Sequence, residues 1–167
     1  RCTPLICIKN EVTDPHFNLA LEEYALTKMD RDQDYLILWQ NAPSVIIGRN
    51  QNTLEEINQE FVEKHKINVV RRLSGGGAVY HDLGNLNFTF ITTSTDEVRN
   101  NFRRFQEPVV KALSRLGVQA EQSGRNDITV DGKKFSGNAQ YYNRDRVLHH
   151  GTILFSSDLS RVQEVLT

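Results

Sequence analysis

Residues 71–85 read RRLSGGGAVYHDLGN, and the fold turns on how that stretch is read. Two arginines and a serine lead into three consecutive glycines, followed by an alternating apolar run that ends in His-Asp and Gly-Asn. Three adjacent glycines lose much conformational entropy on folding, so an ordered conformation there must be offset by something gained. A plain turn or a flexible linker is the bland alternative. The flanks argue for order, because Asn68, Val69 and Val70 read as a strand coming in and Ala78, Val79 and Tyr80 as a strand going out. Without Cβ atoms, Gly75, Gly76 and Gly77 can turn their N–H groups toward one point and admit a ligand close to the backbone, as in an anion nest. Arg71 and Arg72 add planar forks of donors suited to phosphate or carboxylate. A P-loop would need Lys-Ser or Lys-Thr after its last glycine, and a dinucleotide fingerprint would need GxGxxG opening a helix. Here GGGAVYH opens onto a strand pattern, so the expected site is an anion held at a strand–turn–strand.

Upstream of the glycines, residues 5–9 read as a first strand. In DPHFNLALEEYALTKM, Asp14 is an N-cap, Pro15 takes the first helical position, and Phe17, Leu21, Tyr24 and Ala25 recur at helical spacing as the expected buried face. Residues 35–39 and 44–47 are β-rich and divided by Asn41-Ala42-Pro43, which predicts a hairpin; residues 52–66 predict one helix capped by Asn52 or Thr53. Downstream, strands at residues 78–81 and 86–92 flank residues 82–85. Residues 98–116 predict a helix with Phe102, Phe105, Val109, Leu113 and Leu116 on one face, Gly117 as its stop, and Pro108 imposing a kink or a late start. A strand at residues 127–130 turns at Asp131-Gly132 and returns through Lys133 and Lys134; VLHHGTILF is a further strand, and a last helix starts at Ser157 or Asp158. Strands joined by tight turns and interleaved with helices predict an α+β fold with a mixed, largely antiparallel sheet flanked by helices.

The chain has 167 residues, 38% of them hydrophobic and 25% charged, as expected of one globular domain with a proper core. A formal net charge of -1 gives no electrostatic case for general binding to nucleic acid or a membrane surface, which puts weight on local clusters of arginine and lysine. No apolar stretch reaches the length of a membrane span, and no signal peptide is visible. Cys2 and Cys7 lack metal-ligand spacing and make no disulfide scaffold, so a reducing cytoplasm is the expected location. A first residue of Arg1 and a last helix without a capping glycine or proline lead to the expectation of a fragment.

RRLSGGGAVYHDLGN, with NLALEE before it and GRND, KFSGNAQ and HHGTILF after it, resembles the lipoate-protein ligase A family of the biotin and lipoate ligase superfamily. The likeness runs from about Asp14 to Ser160. It implies a fold like that of biotin and lipoate ligases and class II aminoacyl-tRNA synthetases, with residues 1–167 as the N-terminal part of a catalytic domain. The rest of that domain and a small C-terminal domain would lie outside this chain. It also implies activation of lipoate by ATP and Mg2+ to lipoyl-AMP, then transfer to a lysine of a carrier, the glycine cleavage H protein or E2 lipoyl domains. Carried over by motif, Arg72, Gly77, Ala78, Val79 and Tyr80 surround the adenylate, and Lys134 lies between the lipoyl carboxylate and the α-phosphate. Asn85 and Asp127 fall near the nucleotide, while Arg71, Gly75 and Gly76 join Lys134 as candidates for lipoate. No residue is implied as a metal ligand, since Mg2+ rides on ATP oxygens.

Chemistry agrees with that placement, because joining two anions requires their repulsion to be cancelled and charge on the five-coordinate phosphorus to be stabilised. Other candidates have duller readings. His81-Asp82 reads as a hydrogen-bonded strand end before it reads as a catalytic dyad, and His149 and His150 alternate on a strand, one toward the core and one outward. Glu22 and Glu23 default to a solvated helix face, and Lys133 to a surface cation. Trp39, Val45, Ile46, Phe88 and Phe135 are candidates for an acyl slot or for core. Three other functions are weighed: an octanoyl or lipoyl amidotransferase working through a cysteine thioester, a biotin ligase, whose GRGRxGRxW-type loop is missing, and a non-catalytic lipoate- or nucleotide-binding module.

Overall fold

The computed structural model describes residues 3–166; Arg1, Cys2 and Thr167, on which the reading of the first thiol and of both chain ends touches, lie outside the described residues. Along the chain come β1 (Leu5–Lys9), α1 (Pro15–Thr27), β2 (Asp34–Trp39), β3 (Ser44–Ile47), α2 (Thr53–Glu56), α3 (Gln59–Lys64), β4 (Asn68–Arg71) and β5 (Val79–His81). The second half contains β6 (Asn85–Thr93), α4 (Phe102–Arg115), β7 (Glu121–Ser123), β8 (Asp127–Val130), β9 (Lys133–Asn143), β10 (Arg146–Leu154) and α5 (Leu159–Val165).

Seven strands form one sheet in the order β1-β2-β6-β10-β9-β8-β7, and three form another in the order β4-β3-β5. The β1–β2 and β3–β4 ladders are parallel and the other ladders are antiparallel, which is the mixed α+β architecture expected. Strand alternation sorts the side chains of the large sheet. Tyr35, Ile37, Trp39, Ile91 and Leu148 pack with Leu19, Ala25 and Leu26 of α1, whereas Phe88 and the flanking Leu36, Leu38 and Phe90 pack on the other face with Val109 of α4. Each such fully buried aliphatic side chain contributes about 1.5–3 kcal/mol.

Several local expectations are overturned. Residues 35–39 and 44–47 do not form a hairpin, because β2 pairs with β1 and β6 while β3 pairs with β4 and β5. Asn41, fully buried between them, hydrogen-bonds Asn18 and His81 and steers the chain from one sheet to the other. The helix expected over residues 52–66 is two short ones. Ile57 adopts an extended conformation and bridges Leu166, and Asn58 then caps α3 by accepting from Phe61 N.

On α1 the buried face is Pro15, Asn18, Leu19, Glu22, Ala25 and Leu26, and Phe17 and Tyr24 are exposed. The helix is rotated from the apolar expectation because two polar residues on the buried side, Asn18 and Glu22, find internal partners. In α4 the start is late, at Phe102 after the cap Asn101, and Pro108 is accommodated inside; Leu116 is 79% exposed at the C-cap rather than on the apolar face. His149 and His150 are both buried, since each face of β10 is covered and neither is outward.

Candidate functional site

A cavity of about 670 Å3 opens between the glycine turn and the α1-side face of the large sheet, room enough for a ligand of small-molecule size. Arg72, Gly75, Gly76, Gly77, Ala78 and Val79 form one wall. Asp127 and Lys134 form another, so the glycine turn and the lysine distant in sequence meet around one space. Arg71, Tyr80 and Asn85, also singled out from the sequence, lie outside its lining. Arg71 instead donates to Gly48 O, Arg49 O, Gln51 O and Thr53 Oγ1, tying down the loop after β3; Tyr80 packs in the core of the small sheet; Asn85 donates to Asn87 Oδ1. Successive residues of a strand point to opposite sides, so adjacent arginines part company here.

Arg72 braces the turn it precedes. Its Nη2 donates to Gly75 O at 2.9 Å and Gly77 O at 2.7 Å, and its Nη1 to Ile46 O at 3.1 Å. Between those carbonyls Gly76 sits at φ +104°, a left-handed conformation that a Cβ would strain. Burial pushes the Arg72 guanidinium below its ordinary pKa, while the Glu22 carboxylate pulls it back up; at neutral pH it stays charged.

Below the turn runs a buried polar network that sequence reasoning missed. Trp39 Nε1 donates to Thr89 Oγ1 at 2.9 Å, Thr89 donates to Glu22 Oε2 at 2.6 Å, and His150 Nδ1 lies 3.0 Å from the same oxygen. His150 Nε2 in turn meets Ser74 Oγ at 2.5 Å, linking α1 through β10 to the residue before the glycines. Glu22 is 2% exposed, unlike its neighbour Glu23. The sequence did hold a signal: Asn18 and Glu22 are four apart, on the same face as Leu19, Ala25 and Leu26.

Lys134 Nζ lies 3.0 Å from Asp127 Oδ1, with 56% of its side chain exposed. Gly137, Asn138 and Thr152 continue that wall, and Leu19, Trp39 and Ile46 make the opposite, apolar one. Of the acyl-slot candidates, Trp39 and Ile46 line the cavity, Val45 belongs to the small-sheet core, and Phe88 and Phe135 lie on the α4 face. Among the described residues no cluster of three His, Cys, Asp or Glu is placed to hold a metal ion, and Asp127 already faces a lysine. Among the described residues no helix is long and apolar enough to cross a membrane.

Two buried histidines make the fold acid-sensitive. Burial holds His81 at about 3, with His150 and Arg72 adding to the effect, and burial likewise holds His149 at about 3. Between pH 6.5 and 3 the unfolded chain takes up these protons and the folded one does not, so stability falls as pH falls through that window. The expected slope is up to about 1.4 kcal/mol per pH unit for each histidine. Urea unfolding midpoints measured from pH 7 to 4 check this; a flat profile contradicts the neutral buried rings.

Residues 14–167 match the family described as lipoyl protein ligase A/B catalytic domain. The chain is 55% identical over 163 residues to lipoate-protein ligase LplJ of Bacillus subtilis, covering 97% of this chain and 49% of that one. It thus spans about half the length of the curated relatives it matches. Among solved structures it resembles P. falciparum LipL1 in complex with lipoate (TM-score 0.88, 34% identity, 98% of this chain and 52% of that one). It resembles a lipoate-protein ligase A bound with ATP (0.87, 32%, 99% and 71%) and the bipartite lipoate protein ligase of Thermoplasma acidophilum, analysed with its E2 lipoyl domain (0.89, 32%, 99% and 66%). The likeness to the biotin protein ligase of Aquifex aeolicus (0.52, 14%, 98% and 58%) is one of fold alone.

Proposed function

Since this chain belongs to the lipoyl protein ligase A/B catalytic-domain family, we propose that its cavity activates lipoate with ATP and that the activated acyl group passes to a lysine of a carrier protein. The observation that carries the reading is the meeting of the Gly75–Gly76–Gly77 turn and Lys134 around one cavity. Relatives named lipoate-protein ligase, and neighbours holding lipoate or ATP, support it.

In this reading Lys134 leaves Asp127 to stand between the acid and the α-phosphate, where one compact cation cancels their repulsion and stabilises the charge gathering on phosphorus. A carboxylate oxygen of lipoate forms the new bond to the α-phosphorus, and the bond to the bridging oxygen breaks, so pyrophosphate leaves with its electron pair. Arg72 keeps the turn in shape through its carbonyls, which turns the glycine amides toward anionic oxygens. Mg2+ on the triphosphate supplies charge neutralisation for the leaving group. Leu19, Trp39 and Ile46 receive the hydrocarbon part of the acid.

No covalent enzyme intermediate is needed. Cys7, the thiol within the described residues, lies on β1, four strands from β9, about 19 Å away from the strand that carries Lys134. That separation argues against Cys7 as a thioester-forming nucleophile. A free thiol also accords with a cytoplasmic location, and the glycine cleavage H protein and E2 lipoyl domains are the proposed acceptors. Lipoate-dependent release of pyrophosphate from ATP tests the reading. Release that needs lipoate supports an activating ligase; tight binding of lipoate or ATP without release supports a binding module.

A further inference from the structure

From Leu73 to Ala78 one residue is fully buried: Ser74 is 0% exposed, while Gly75, Gly76 and Gly77 beside it stand in the open. A Cβ at Gly75 or Gly77 would meet nothing within 4 Å, so these two glycines are not packed in place. The shape of the turn depends instead on what grips its ends. Arg72 holds the carbonyls of Gly75 and Gly77. Ser74 is held twice, since its carbonyl accepts from Arg49 N at 3.0 Å and its Oγ meets His150 Nε2 at 2.5 Å.

Behind Ser74 each hydrogen bond has a set direction. Trp39 Nε1 can only donate, so Thr89 Oγ1 accepts from it and gives its own proton to Glu22 Oε2 at 2.6 Å. A carboxylate has no proton to give, so His150 Nδ1, 3.0 Å from the same oxygen, donates to it. On the neutral ring Nε2 then accepts from Ser74 Oγ; on a charged ring Nε2 would donate to the same oxygen, and the contact persists in either state. Residues of α1, β6 and β10 thus converge on one serine oxygen. Neither Glu22 nor Ser74 lines the cavity.

We infer that Glu22 and Ser74 are positioning residues: the carboxylate fixes the His150 ring, the ring fixes Ser74, and Ser74 sets where the following glycine amides stand over the cavity. This deepens the acyl-activating reading above and rests on it. A glycine triplet has very wide conformational freedom, so it offers an anion one geometry only if its base is immobile. Donors already in place need no reorganisation as charge develops on the ligand, which makes such an anchor a matter of rate more than of stability.

Steady-state pyrophosphate release by the whole chain tests the inference in the parent, Ser74→Ala, Glu22→Leu, Glu22→Gln and the double variant Ser74→Ala with Glu22→Leu, at a temperature where circular dichroism shows each protein folded. Ser74→Ala and Glu22→Leu are each expected to lower kcat about ten- to a hundredfold. Glu22→Gln, whose amide oxygen can accept from both Thr89 and His150, should restore most of it. The double variant should be no slower than the slower single one, because both changes break the same chain of bonds. A merely structural role would lower the unfolding temperature and leave the kcat of the folded protein alone.

An unchanged kcat in folded Ser74→Ala, losses that multiply in the double variant, or a Glu22→Gln protein as slow as Glu22→Leu overturns the inference. Ser74→Ala removes a single oxygen and carries the test by itself should Glu22→Leu not fold. A parent that binds ATP without releasing pyrophosphate overturns the acyl-activating reading; the anchor is then read from ATP affinity, which Ser74→Ala should weaken and Glu22→Gln should keep. A parent that does neither overturns both.

Discussion

Lys134→Ala is expected to slow lipoate-dependent pyrophosphate release about a hundred- to a thousandfold, roughly 3–4 kcal/mol of transition-state stabilisation. Its unfolding transition should not move. The Nζ makes a half-exposed ion pair with Asp127, a kind of contact that contributes under about 1 kcal/mol, and Asp127 can turn to water when the amine is gone. The separation of the two effects is what identifies the role, since a structural lysine would cost stability and activity together. Thermal unfolding and pyrophosphate release on the same preparation check it, and near-parental release by a folded Lys134→Ala protein removes the lysine from the reaction.

Gly48→Ala is expected to disable the site from outside it. A Cβ at Gly48 would lie 1.9 Å from Gly76 O, and because that neighbour is backbone no rotamer change relieves the clash. The two loops are already joined at this point, with Arg49 N donating to Ser74 O at 3.0 Å and Arg71 holding Gly48 O at 2.9 Å. The glycine turn must therefore shift or the end of β3 must loosen. Overpacking of this kind costs about 1–3 kcal/mol, occasionally more. The larger consequence is for the ligand, since a turn displaced by even an ångström can cost about a hundredfold in a reaction that depends on position. Reduced thermal stability together with loss of pyrophosphate release is the expected pair of results; parental behaviour in both would mean that the close approach of the two loops carries no function.

Much of this was legible in the chain. Glycine's lack of a side chain, the strand patterns on either side of residues 75–77 and the Asp131-Gly132 turn are local properties, and each element that depended on them is found in its expected place. That Lys134 lines the same cavity as the glycines was legible only through the likeness of the whole motif set to a known family. Glu22 was not, because an acid on a helix looks the same in sequence whether it faces water or Thr89 and His150. The hairpin expected across residues 41–43 failed for a related reason: the turn residues are real, but Asn41 found Asn18 and His81, and those contacts send the chain to a second sheet.

By itself, then, the sequence determined the class of fold, most of its elements and the glycine turn between two strands, since these follow from side-chain volume, alternation and backbone freedom over a few residues. Only the tertiary structure decided which of two neighbouring arginines reaches the cavity, which helix acid is buried, and that Asn41 joins Asn18 to His81 between the two sheets. Those outcomes depend on which groups from distant strands share a hydrogen bond, and the cost of burying a polar group without one is settled only when the sheets have closed.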